Sequence, residues 1–363
     1  MLVQRDIGLE VVRRILLIKP SSIGDVVHTL PTLAALRRRF PDRHIAWLVE
    51  EEASGIVLDH PLLDRVLVSG RKRWRRALGR PSGAISALQE ALAFMRQLQA
   101  ERYDLAIDLQ GLLKSGLLLL LSGARYRVGF AKTREGASLF LTHAVSYPEG
   151  LHAVERYLHL ARFLGADGDP SEGFIPISPS DEDRIHRLLK EEGFDPEAPK
   201  VVLHADTRWR TKLWKEERFA LLGDLLAERL RTRVLLTGSE AGVPLTRRIA
   251  GLMRSRPLNL AGRTDLKGLM ALLKNADLMV TVDSGPMHIA AAFGTPLVAL
   301  FGPTDPKLTG PYGGDPLIIR KDLPCSPCLK RRCQIQEERL CMRLIGVEEV
   351  FEAAIERYEK GRR

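Results

Sequence analysis

Apolar runs four to seven residues long recur along the chain, and most end in a polar loop that leads into residues with helical spacing. In the first half the runs are RILLIK at 14–19, HIAWLVE at 44–50, RVLVS at 65–69 and YDLAIDL at 103–109. Helical spacing is read at 85–101 and 152–166, and a helix is expected to begin near Pro31. GLLLLLSGA at 116–124 is far too short to span a membrane and predicts a buried helix. DGDPSEGFIPISPSDED, rich in Pro, Gly, Ser and acids, reads as a linker. A second series follows: KVVLHA at 200–205, RVLLTG at 233–238, LMVTVDSG at 278–285 and PLVALFGP at 296–303. Helices are expected among them at 219–230 and 266–275, and VEEVFEAAIERYEKG is amphipathic at helical spacing. This alternation predicts an α/β fold of two Rossmann-like domains whose parallel sheets face each other across a cleft. The boundaries are an N-terminal domain over 14–170, a linker over 171–182, a C-terminal domain over 183–345 and a terminal helix over 346–363.

Composition leaves this picture in place: 363 residues, 45% apolar and 28% charged, suit a two-domain globular protein. The N-terminal MLVQRDIGLEVVRR has charges where a signal peptide needs an apolar core, so a cytoplasmic location is expected. The net charge of +10 changes more, because it asks for an anionic partner. Nucleic acid, an anionic membrane and a phosphorylated substrate are the candidates, beside an Arg-rich surface that only reflects genome composition. The densest cluster, RKRWRRALGR at 71–80, comes without any helix-turn-helix, zinc-finger or RNP pattern, which argues against nucleic acid.

Candidate chemistry gathers in loops after strands. The loop after the first strand carries one acid, Asp25, near Ser22 and Gly24, which serves either as a base or as a helix cap. In the second half a strand ends at Asp283-Ser284-Gly285, and Pro286 suits a first helical turn. The amino end of that helix, with His288 nearby, is either a diphosphate seat or an ordinary capped junction. HADTRWRTKLW places Thr207, Arg208, Arg210 and Lys212 in an equivalent loop, suited to phosphate or merely solvated. Two such loops favour a nucleotide diphosphate, whose ribose Glu240 could hold. No G-x-G-x-x-G or Walker A pattern occurs, which argues against nicotinamide dehydrogenases and P-loop ATPases. The D-x-D triplets at 167–169 and 181–183 read as structural, so metal-independent catalysis is expected. Cys325, Cys328, Cys333 and Cys341 cluster in an otherwise cysteine-free chain. Structural metal, a disulfide and plain thiols all remain open for them.

Together KPSSIGDVVHTLPTL, DLQGLLKSGLL, HAVERY, HADTRWRTKLW, VDSGPMHIAAAFGTPLVALFGPTDP and GPYG resemble glycosyltransferase family 9, the ADP-heptose:lipopolysaccharide heptosyltransferases, over residues 14–343. VEEEA, RKRWRRA and DLQGLLKS make the chain most like the heptosyltransferase I branch. The resemblance implies the GT-B fold, with acceptor mainly on the first domain and sugar nucleotide on the second. It implies inverting transfer of L-glycero-D-manno-heptose from ADP-heptose to a Kdo residue of Kdo-lipid A, with no cofactor. Asp25 matches the family's base and Lys212 the lysine at the donor phosphates, in a loop one residue longer than in relatives. Thr207 is the nearest match to a phosphate-contacting threonine, and Asp283, Ser284, Gly285 and His288 match the D-[ST]-G-x-x-H nucleotide-sugar loop. Thr264, in LAGRTDL, lies where backbone approaches the adenine. On the acceptor side Ser22, Gly24, Arg71, Arg73, Arg76 and Lys114 are expected to meet lipid A phosphates and Kdo carboxylates. An enzyme peripheral on the cytoplasmic face of the inner membrane follows. The rivals are heptosyltransferase II or III, another core transferase, a nucleotide-sugar epimerase, and a basic membrane- or RNA-binding scaffold.

Overall fold

Val, Ile and Leu fit a pleated surface covered on both faces, and the apolar runs form two all-parallel sheets. The computed structural model describes residues 7–79, 81–195, 197–336 and 338–362, and the chain divides between Pro176 and Ile177 into two units. Arg80, the last of the basic cluster, and the first six residues of the N-terminal stretch lie outside the described residues.

The first unit has strands β1 (Arg14–Ile18), β2 (His44–Glu50), β3 (Arg65–Ser69), β4 (Leu105–Asp108), β5 (Tyr126–Phe130) and β6 (His143–Val145). Their order is β3-β2-β1-β4-β5-β6. The helices are α1 (Ile23–Arg39), α2 (Glu51–Ser54), α3 (Arg71–Leu78), α4 (Ala84–Ala100), α5 (Leu113–Leu121) and α6 (Ala153–Phe163). β5 escaped the pattern because Arg127 and Gly129 break its apolar run, and β6 because it is three residues long and opens on His143.

Two expectations are corrected here. α1 begins at Ile23, not near Pro31, which sits inside the helix. Proline in the sequence looks like a start signal, yet the cap is Ser22, and Asp25 of the first turn reaches back to it. The leucine run is not buried either. Only one side of α5 meets the sheet, so Leu119 is buried while Leu113, Leu117, Leu120 and Leu121 are exposed.

The second unit has strands β7 (Val201–His204), β8 (Leu235–Thr237), β9 (Leu258–Asn259), β10 (Leu278–Val282), β11 (Leu297–Phe301) and β12 (Leu317–Arg320). Their order is β12-β11-β10-β7-β8-β9. Its helices begin with α7 (Pro179–Glu191), α8 (Glu216–Leu230), α9 (Val243–Leu252) and α10 (Leu266–Lys274). They continue with α11 (Gly285–Phe293), α12 (Pro306–Thr309), α13 (Leu340–Arg343) and α14 (Val347–Gly361). The terminal helix joins the core: Val350, Ala354 and Tyr358 of α14 pack in one cluster with Val280 and Leu300. The stretch read as a linker is ordered at both ends. Asp169 caps the 3-10 turn Pro170–Glu172, and Ser178 with Asp181 caps α7. Asp167 and Asp169 of the first D-x-D triplet and Asp181 of the second therefore hold backbone N–H groups. Among the described residues no helix is long and apolar enough to cross a membrane.

In each sheet the strand order reverses once, between β1 and β4 and between β7 and β10. Loops leaving neighbouring strands diverge there, which opens a crevice at the carboxyl edge. His204 ends β7 beside the second crevice, buried, with Nδ1 3.0 Å from Thr237 Oγ1. Burial pushes its imidazole down from 6.5 to about 4, against a smaller opposing pull from Asp206. Between those values the unfolded chain binds a proton that the folded chain refuses, so stability falls as pH drops through that window. The loss expected is ~3 kcal/mol. Unfolding midpoints measured from pH 7 to pH 4 should show it, and His204→Gln should flatten the profile.

Candidate active site

In the first unit the site grows from the end of β1. Lys19, almost fully buried, donates to the Tyr157 hydroxyl at 2.7 Å and the Leu109 carbonyl at 3.1 Å. The Tyr157 hydroxyl donates in turn to Asp25 Oδ1 at 3.2 Å, and Lys19 Nζ lies 3.8 Å from the same oxygen. Asp25 Oδ2 accepts from the Ser22 N–H at 3.1 Å and the Ser22 hydroxyl at 2.8 Å. Burial works against the ionised form, but Lys19, the two Ser22 donors and His28 outweigh it. The carboxyl is held well below the usual carboxylate range. Asp25 thus caps α1 with one oxygen and turns the other to Lys19 and Tyr157. Its side chain keeps 33% exposure, so a ligand could reach it. Ser22 is exposed at the cap, and Gly24 is buried in the first turn.

A second group forms at the end of β2. Buried Glu50 accepts from Arg71 Nε at 2.9 Å and Lys114 Nζ at 3.1 Å, with Lys72 Nζ at 3.7 Å. Lys114 also reaches the Ser21 hydroxyl at 2.8 Å, and Lys72 pairs with Glu52. Burial opposes ionisation of Glu50, but Lys114 and Arg71 prevail and lower its pKa. Three cations against two carboxylates leave net positive charge, which suits an anionic ligand. Arg71 and Lys114 are therefore brought together. Arg73 instead pairs with Glu51 and Glu90, and Arg76 is exposed on α3, without an ion pair to any described residue. Sequence reading missed Lys19, Glu50 and Tyr157 as members of these groups. The one available signal was position: Lys19 and Glu50 are charges closing apolar strands.

In the second unit, Lys212 Nζ lies 2.6 Å from Asp283 Oδ2, with both side chains largely buried. Thr304 donates to the same oxygen at 2.5 Å, and Thr207 Oγ1 donates to the Asp283 carbonyl at 3.2 Å. The loops after β7 and β10 are thus tied together at the strand reversal. Lys212 Nζ also sits 4.8 Å from the centre of the Trp209 ring, which fixes its direction. Ser284 stands at the N-cap position of α11 with its hydroxyl turned to Thr281, Gly285 and Pro286 open the helix, and Gly294 closes it with φ 73°, a backbone that favours glycine. The Ala-rich face of α11 is buried, and His288 lies buried one turn in. Amide N–H groups and an ammonium at one helix start are the donors that a diphosphate would require. Glu240 and Thr264 follow the neighbouring strands β8 and β9; Glu240 is exposed and Thr264 half-buried. Neither is bonded to the Lys212–Asp283 pair. Asp206, also missed from sequence, binds the Ser239 N–H at 3.0 Å and hydroxyl at 2.6 Å, joining the loops after β7 and β8. Arg210 points to Glu338 at 3.8 Å and is mostly exposed, so it does not join the pair.

The cysteine cluster requires a correction. Cys325, Cys328, Cys333 and Cys341 are free thiols lining a cavity of about 210 Å³. A tetrahedral thiolate site needs four sulfurs about 2.3 Å from one point. Among the described residues no group of three or more His, Cys, Asp or Glu is placed to hold a metal, so the structural metal finds no support. Burial instead pushes the Cys341 thiol up, towards its protonated form.

Residues 91–338 match glycosyltransferase family 9 (heptosyltransferase). Lipopolysaccharide heptosyltransferase 1 of Pseudomonas aeruginosa is 37% identical over 329 residues, 89% of this chain and 88% of the relative. Lipopolysaccharide heptosyltransferase 1 of Escherichia coli K12 is 34% identical over 311 residues, 85% of this chain and 93% of the relative. Among solved structures, an Escherichia coli heptosyltransferase with ADP gives a TM-score of 0.74 at 29% identity, covering 95% of this chain and 99% of its own. A glycosyl transferase of family 9 from Veillonella parvula gives 0.79 at 22% identity, covering 96% and 97%. The expected fold class, GT-B with two Rossmann-like domains, is that of these structures.

Proposed function

This chain belongs to glycosyltransferase family 9, and from that premise we propose that it moves heptose from ADP-heptose to a Kdo residue of Kdo-lipid A, with inversion. It is a glycosyltransferase, as its relatives are. The donor reading draws on relatives solved with ADP and with ADP-2-deoxy-2-fluoro heptose. The observation that carries it is Lys212, held 2.6 Å from buried Asp283 beside the amino end of α11.

The chemistry balances with residues of this chain. An acceptor hydroxyl oxygen forms a bond to the anomeric carbon as the bond from that carbon to the diphosphate oxygen breaks. The electron pair leaves with ADP, whose added negative charge Lys212 and the α11 amides stabilise. The hydroxyl proton passes to Asp25, ionised at all ordinary pH. This route takes its positive charge from Lys212 and needs no cofactor. On the acceptor side Arg71 and Lys114, gathered at Glu50, suit the carboxylates and phosphates of the lipid. Such an acceptor places the enzyme at the anionic cytoplasmic leaflet of the inner membrane.

The test is the mass of the product formed from ADP-heptose and Kdo-lipid A. One added heptose is the expected result. No product with Kdo-lipid A, but one with an already heptosylated acceptor, would move the activity to a later step of the core.

A further inference from the structure

The first unit carries an apolar surface that the candidate site does not use. Helices α3, α4, α5 and the 3-10 turn Ala137–Phe140 form one layer on the sheet, since Trp74, Phe94, Leu119 and Phe140 share an apolar cluster with Leu16 and Ile18. The outer side of this layer is polar on α3, but on α4 and α5 it carries apolar side chains where a surface helix normally has polar ones. Along α4, Ile85, Leu88 and Leu92 are exposed at spacings of three and four, with Ile85 at 74%. Every exposed position of α5 is leucine, and beside it Leu139 is 85% exposed. An apolar face spread over three elements is more than the scattered leucines of ordinary surfaces.

Its rim identifies the occupant. Arg75 and Arg76 stand exposed on α3, neither paired with a described residue, and Arg96 continues the stripe of Ile85, Leu88 and Leu92. Leucines edged by arginines fit the interface of an anionic bilayer, where apolar groups enter the acyl boundary and guanidinium groups meet phosphates. A second copy of the chain, packed about a two-fold axis, would instead set the same leucine-rich and arginine-edged face against itself, with no anionic surface to meet the guanidinium groups. The face also runs into the site, because α5 starts beside Lys114, which is bonded to Glu50. We propose that the exposed sides of α4, α5 and the turn at Leu139 form a docking surface for an anionic lipid bilayer.

The proposal shares with the assigned reaction only the premise of a lipid acceptor, so binding is read without donor or acceptor. The purified full chain is sedimented with phosphatidylcholine vesicles, with and without about one-third phosphatidylglycerol, at low and high salt. Binding is expected to the anionic vesicles, weakened by salt. The variant Leu117→Glu/Leu120→Glu is expected to lose at least about tenfold in binding while its unfolding midpoint and its transfer to a delipidated acceptor stay unchanged. Arg75→Glu/Arg76→Glu, on a separate helix, is expected to bind weakly and to lose the salt dependence. Absence of vesicle binding by the natural chain, or full binding by both variants, overturns the proposal. So does a dimer in sedimentation equilibrium that the leucine variant abolishes, which would give the face to a second copy. Lost transfer with retained vesicle binding would count against the assigned reaction alone.

Discussion

Asp25→Asn is expected to lower turnover by about 10³-fold while the donor KM changes little. The amide keeps an oxygen for the Ser22 N–H, so the cap of α1 persists. It cannot take the proton of the attacking hydroxyl. A carboxylate held so far below its usual range is a weak base at rest. It accepts the proton only late, once the attacking oxygen has acquired positive character. The acid limb of the rate profile should then fall below pH ~4, the ordinary carboxylate value. Lys19→Met removes the strongest lowering influence and should carry that limb upward. Steady-state rates from pH 3 to pH 8 would check both. Near-normal transfer by Asp25→Asn removes the base assignment. Because the variant also strands the buried Lys19 cation, its unfolding midpoint must be measured beside its rate.

The second large effect is expected at Lys212. Lys212→Met should cost about 10²–10³ in turnover by removing charge from the leaving diphosphate. It should also destabilise the second unit by ~3 kcal/mol, because buried Asp283 loses its counter-ion. The double variant Lys212→Met/Asp283→Asn separates these effects. Thr304 and Thr207 still hold the loop, so stability should return. Turnover should not. Recovery of transfer by the double variant would show that Lys212 serves only the fold.

How far the sequence could be read follows from which forces are local. β2 and β3 were legible to the residue because apolar runs and their polar ends are written in neighbouring positions. The Asp283–Gly285 junction was legible for the same reason, as cap, proline and helix start are consecutive. β9 and β12 were not: β9 is two residues long, and both are edge strands held by a single neighbour, β8 and β11, rather than by a buried apolar run of their own. Pro31 misled because position within a helix is set by the cap eight or more residues earlier. In the sites, single residues were visible while their partners were not. Glu50 and Lys114 stand 64 positions apart, and Asp25 and Tyr157 stand 132 apart. Only folding makes them neighbours. The arginine cluster shows the converse: adjacency in the chain sent Arg71 to Glu50 and Arg73 to Glu51 and Glu90.

The way α14 is built into the second unit bears on any truncation that removes it. Loss of the chain from Val347 onward would strip the covering from Val280 and Leu300, side chains of the two strands beside which Asp283 is set. Truncations there belong with active-site lesions in their effect, and an affinity handle is better appended beyond Gly361 than exchanged for the final turns.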